Sequence, residues 1–178
     1  CIQKGFLLEY LETFELAKKS VLELGAGSGL ISFFAEKKGA RVTASDLSKK
    51  AVQNLILNKS LLSSGASIIE SDLFDEIPVT HFDVIIINPP YYAKQPVNEA
   101  LLAWYCGEHF EYFEKLFSQL RNFIHSKSKV VMILSEDCDL LQIQRIATQH
   151  ALVMNEVLRK KIWWEWNYIF QIIVSPHH

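Results

Sequence analysis

Apolar positions repeat with two different periods along this chain, and the periods alternate. Residues 6–17 place Phe6, Leu7, Tyr10, Leu11, Phe14 and Ala17 on one helical face. Ser20-Val21-Leu22-Glu23-Leu24 reads as a first strand that runs straight into Gly25-Ala26-Gly27-Ser28-Gly29. The spacing then predicts a helix over 29–38 with Gly39 as its stop, and a second strand over 41–45 ended by Asp46. Ser48 is a cap for a helix over 49–59, whose Ala51, Val52, Leu55 and Ile56 are expected to face inward. A short third strand is expected over 66–70. Phe82–Ile87 is the most continuous β-branched run, so it is expected to be a central strand covered on both faces.

Residues 108–124 predict an amphipathic helix through Phe110, Phe113, Phe117, Leu120 and Ile124. A strand over 129–134 and a helix over 139–150 follow. The β-rich stretches 153–162 and 167–174 read as an antiparallel pair at one edge of the sheet. Alternating strands and helices imply an α/β fold with a mostly parallel sheet. No repeat, low-complexity tract or linker interrupts the pattern, which implies one domain.

Composition narrows the class. With 178 residues, 49% of them hydrophobic, the chain is expected to hold a core without metal or disulfide. Eighteen basic against twenty acidic residues give a formal charge of −2, which excludes a strongly cationic footprint though not a local patch. Cys1, Cys106 and Cys138 are three in number and far apart, with no Cys-x-x-Cys and no ligand-spaced His. Neither a disulfide framework nor a metal site is expected, and a reducing, cytoplasmic compartment is. No run reaches the ~18 apolar residues of a membrane span.

The glycine turn is the first candidate for chemistry. Glycines adopt positive φ without strain and let a ligand approach the backbone, and the helix start beyond them carries unpaired N–H groups. Asp46 at the end of the next strand stands where a carboxylate meets ribose hydroxyls. A ligand-free turn and a dinucleotide site are the alternatives; the dinucleotide fingerprint G-x-G-x-x-G would need glycine where Leu30 stands. The order Glu23-Leu24-Gly25-Ala26-Gly27-Ser28-Gly29 instead resembles motif I of class I S-adenosylmethionine (SAM) methyltransferases. That resemblance implies SAM held at Glu23, Gly25, Ala26, Gly27 and Gly29. It also implies ribose contacts at Asp46 with Leu47 beside it, adenine contacts at Asp72 and Leu73, and a cofactor contact at Asn88.

Asn88-Pro89-Pro90-Tyr91 closes the strand at Phe82–Ile87. Proline has no N–H for the ladder, and two in a row hold an extended corner whose carbonyls are not used by helix or sheet. A carboxamide or adenine amino group is a poor nucleophile because its lone pair is delocalised. Catalysis then requires holding that nitrogen and stabilising the charge it gains. The Asn88 side-chain oxygen and the Pro89 carbonyl can accept its two N–H bonds, and Tyr91 offers a flat face for stacking. The alternative is a structural Pro-Pro turn.

With this corner included, residues 20–174 resemble the HemK-like branch of SAM methyltransferases. The resemblance implies a Rossmann-like class I methyltransferase fold: a seven-stranded, mostly parallel sheet with an antiparallel C-terminal strand and helices on both faces. It makes 1–19 an N-terminal helical segment. It also implies transfer of a methyl group to the glutamine side-chain amide of a protein such as a release factor, with Asn88, Pro89, Pro90 and Tyr91 on the substrate. Residues 103–111 partly resemble the glycine-containing stretch that follows this corner in the branch. Adenine methyltransferases acting on RNA or DNA share the corner, and a non-catalytic SAM-binding module is the opposing class. Bacterial members carry a helical release-factor docking domain ahead of the first strand; here that domain either lies outside this sequence or is absent from the subgroup. Residues 1–6 do not match the family's acidic SAM-contacting segment. Trp163, Trp164 and Trp166 are expected to join two edge strands and cover a sheet face or partner surface. Arg159-Lys160-Lys161 is expected to be a solvated strand edge, and it is the candidate nucleic-acid contact.

Overall fold

The computed structural model describes residues 2–89 and 110–176. In chain order the elements are α1 (Ile2–Leu11), β1 (Ser20–Leu24), α2 (Leu30–Lys37), β2 (Arg41–Asp46), α3 (Lys49–Leu61), β3 (Ser67–Glu70) and β4 (Phe82–Ile87). These are followed by α4 (Glu111–Leu120), β5 (Ile124–Ser135), α5 (Leu140–Gln149), β6 (Leu152–Ile162) and β7 (Glu165–Val174). One seven-stranded sheet has the order β3-β2-β1-β4-β5-β7-β6. Pairings from β3 through β5 are parallel, and β7 runs antiparallel to both β5 and β6.

Strand periodicity sorts the central side chains into two cores. Leu22, Leu24, Ile85, Ile87, Val130, Met132 and Leu134 pack with α4 and α5 on one face. Val21, Val84, Ile86, Val131 and Ile133 pack with α1 and α2 on the other. Both faces of β1 and β4 are therefore dry, which is why these strands read as nearly unbroken apolar runs.

Several boundaries differ from the sequence reading. Helix α1 ends at Leu11 and not near residue 17, because the chain must turn to enter β1: Lys18 has φ 63 and its N–H reaches Gly39 O at 2.8 Å. Leu16 is buried in place of Ala17. In α3 only Leu55 is fully buried, and Ile56 is 54% exposed, so the inward face is narrower than its apolar content suggests. Helix α4 stops at Leu120 and a 3-10 turn follows, because Ile124 pairs with Phe82 and already belongs to β5. An irregularity in β5 then absorbs the extra residues, with Ser128 Oγ donating to Phe82 O at 2.6 Å.

The C-terminal hairpin corrects one expectation. Ile162 pairs with Glu165, which leaves Trp163-Trp164 as a two-residue turn, 73% and 83% exposed. A tip this tight carries its side chains beyond the sheet end, so these two rings cover no sheet face. Trp166 lies on the strand, opposite Lys161. Lys160 is not simply solvated: its ammonium pairs with Glu9 at 2.7 Å and ties β6 to α1.

Candidate functional site

Three neighbouring strands end at the same level. Leu24 is in register with Ser45 on one side and with Ile87 on the other. Gly25, Asp46 and Asn88 are therefore the next residues out on β1, β2 and β4. The parallel order makes this the carboxyl edge of the sheet, where a cleft opens between strand ends.

The glycine turn takes the backbone shape its sequence predicts. Gly25, Gly27 and Gly29 have φ of 72, 60 and 81, all left-handed. At Gly25 the missing side chain also matters for approach, since a Cβ there would stand 3.7 Å from Asn88 O. Turn and corner thus face each other across an open strip of backbone. Ala26 is buried, and its N–H is held by Ser45 O at 2.9 Å.

Asp46 braces the edge. One carboxylate oxygen accepts from Gly27 N at 2.9 Å and the other from Ser48 N at 2.9 Å. Leu47, next to it, is 45% exposed. Ser48 caps α3 through its hydroxyl, as the sequence predicts.

Glu23 is 1% exposed inside the strand. Its Oε2 accepts from Ser32 N at 2.9 Å and from Ser32 Oγ at 2.5 Å, so a β1 carboxyl serves as the cap that Gly29 cannot supply to α2. Among the described residues its Oε1 has no hydrogen-bond partner. Burial pushes its pKa up to about 7, against the opposing pull of Lys4 and Ser32. A carboxyl that binds its proton more tightly when folded stabilises the fold most in acid. Wild type is therefore expected to lose stability relative to Glu23→Gln as pH rises from about 4.5 to 7, with the difference level above that. Urea unfolding of both proteins across pH 4–8 measures it, and parallel pH curves would refute the buried-acid assignment.

Sequence reasoning missed three residues here. Lys4, on α1, donates from Nζ to Ala26 O at 3.0 Å and lies over Gly27. Ser32 secures Glu23. Lys115, on α4, donates to Asp72 at 2.5 Å and to Asp75 at 2.6 Å. None carried a local signal, since each is a polar residue on a helix whose partner is remote in the chain. Asp72 is thus brought to the same edge but is held by Lys115. Leu73, with φ 54, is buried in the core cluster that contains Leu24 and Ile87. Pro89 is buried. Pro90, Tyr91 and the 103–109 stretch lie outside the described residues, as do Cys1, Cys106 and His109.

Among the described residues no group of three or more His, Cys, Asp or Glu could hold a metal ion. No described helix is long and apolar enough to cross a membrane.

Comparison with known proteins agrees with this geometry. The chain is 37% identical over 84 residues to a release factor glutamine methyltransferase of Fusobacterium nucleatum, covering 45% of this chain and 24% of that protein. It is 28% identical over 132 residues to a tRNA1(Val) (adenine(37)-N6)-methyltransferase of Shewanella loihica, covering 65% of this chain and 52% of that one. The chain thus spans between about a quarter and a half of the length of these relatives. In fold it is similar to the E. cuniculi Mtq2–Trm112 complex, responsible for methylation of the eRF1 translation termination factor, with a TM-score of 0.73 at 21% identity, covering 98% of this chain and 96% of that one. The methyltransferase small domain model matches residues 4–106, more than half of the chain. The level strand ends, the left-handed glycine turn and that match together make this chain a member of the methyltransferase small domain family.

Proposed function

We propose that the chain binds SAM across the ends of β2, β1 and β4 and methylates the side-chain amide of a glutamine in a protein substrate of the release-factor kind. The observation that carries this reading is the juxtaposition of the glycine turn and Asn88 on adjacent, level strands. The cradle fits the cofactor: three left-handed glycines leave alternate positions of the turn without side chains, and Asp46 stands one strand over, where its oxygens can accept from ribose hydroxyls. Bound there, SAM would supply a methyl group made electrophilic by its sulfonium.

The chain's own residues do the rest. Asn88 and Pro89 present oxygens to a planar NH2, fixing its nitrogen and favouring the form that gains positive charge. The N–CH3 bond would form as the S–CH3 bond breaks, with S-adenosylhomocysteine leaving; no strong base is required beforehand, because the nitrogen's proton becomes acidic only after alkylation and is then lost to water. Glutamine is favoured over adenine by the acidic overall balance and by the glutamine methyltransferase among the relatives. The adenine reading is supported by the tRNA-modifying relative and remains the second one. A cytoplasmic setting suits a translation-factor substrate.

Labelled SAM offered with a Gly-Gly-Gln release factor, and in parallel with unmodified tRNA and rRNA, tests the substrate. Label is expected on the protein glutamine. Label entering RNA alone would transfer the assignment to adenine, and cofactor binding without any transfer would support a non-catalytic module.

A further inference from the structure

Resting on the cofactor reading above, we infer that Lys4 forms the subsite for the methionine carboxylate of SAM. The cofactor is chemically two-ended: its nucleoside is neutral, and its amino-acid tail beyond the sulfonium carries both an ammonium and a carboxylate. If Asp46 takes the ribose and the methyl faces Asn88, the tail lies over the glycine turn between them. That turn is flanked by two acids, Glu23 beneath it and Asp46 beside it, both within reach of electrostatic coupling to each other. A third carboxylate is repelled there unless a cation meets it.

Lys4 is that cation. Its Nζ sits 3.0 Å from Ala26 O and 3.6 Å from where a Cβ on Gly27 would be, so it hangs directly over the bare part of the turn. An ammonium has three donors, and one is spent on Ala26 O. The other two have no hydrogen-bond partner recorded among the described residues. The Lys4 charge also reaches the buried Glu23 carboxyl, which it favours in its ionised form. Lys4 also belongs to the segment, 1–6, that fails to match the family's acidic pattern. A basic residue at this place inverts the expected charge, which suits the carboxylate end of the tail and not its ammonium.

Calorimetric titration of wild type, Lys4→Gln and Lys4→Arg with SAM and with decarboxylated SAM separates the possibilities. Wild type is expected to prefer SAM by about tenfold or more, as a charge-assisted contact implies. Lys4→Gln is expected to erase that preference by weakening SAM alone, and Lys4→Arg to keep it. Equal weakening of both ligands in Lys4→Gln would reduce Lys4 to a prop for the turn and overturn the inference. So would unchanged SAM affinity. A wild-type protein that binds decarboxylated SAM as tightly as SAM overturns the subsite while leaving the cofactor reading intact. A wild type that binds neither overturns both.

Discussion

Asn88→Ala is expected to lower kcat by about 10²–10³-fold, the range seen when one preorganised polar group facing a developing charge is removed. SAM affinity is expected to change little. The reason lies in where the residue stands. Asn88 follows Ile87, which is in register with Leu24, so its backbone is held by the sheet and faces the glycine turn. Alanine keeps that backbone and deletes the side-chain carboxamide, whose oxygen is the one proposed to accept from the substrate nitrogen. Asn88→Asp retains an acceptor and is expected to keep more activity than alanine does. Single-turnover rates for the three proteins, with SAM affinity by calorimetry, separate the chemical step from binding. An alanine variant as fast as wild type would remove Asn88 from the mechanism. Loss of SAM binding equal to the loss of rate would make it a cofactor residue alone.

The second large effect is expected at Asp46. Its two oxygens join Gly27 N on the β1 turn to Ser48 N at the start of α3, each at 2.9 Å. Asp46→Ala leaves two amides without that acceptor and removes the carboxylate proposed for the ribose. SAM affinity is expected to fall about 100-fold, and unfolding free energy by about 1–3 kcal/mol. Calorimetry and urea unfolding measure the two effects independently. A variant that is destabilised but binds SAM normally would show that the carboxylate serves the turn only.

Much of this site is legible in the sequence. The left-handed turn follows from three glycines at alternate positions after an apolar strand, because few other residues adopt that conformation cheaply. The stop at Asn88-Pro89 follows from proline's missing N–H. The cap at Ser48 follows from a hydroxyl ahead of a helical run. These are local rules, satisfied within a few residues. Boundaries that depend on remote partners were harder. Ile124 continues the apolar stripe of α4, yet it pairs with Phe82 and becomes strand. Ile56 fits an inward helical face, yet α3 flanks strands near the sheet edge and buries only Leu55 fully. The two tryptophans of the last hairpin read as joining two edge strands and covering a sheet face or a partner surface; they do join the strands, and a two-residue turn carries them past the sheet end.

Period and punctuation along the chain alone determined an α/β sheet, the glycine turn on its first strand and the corner after its fourth, since each depends on neighbours close in sequence. Only the tertiary structure decided that these features end level on adjacent strands, that Glu23 caps α2 through Ser32, that Lys115 holds Asp72 and that Lys4 lies over the turn. Those pairings join residues from different elements, and side chains so far apart in sequence meet only after the sheet has brought their elements together.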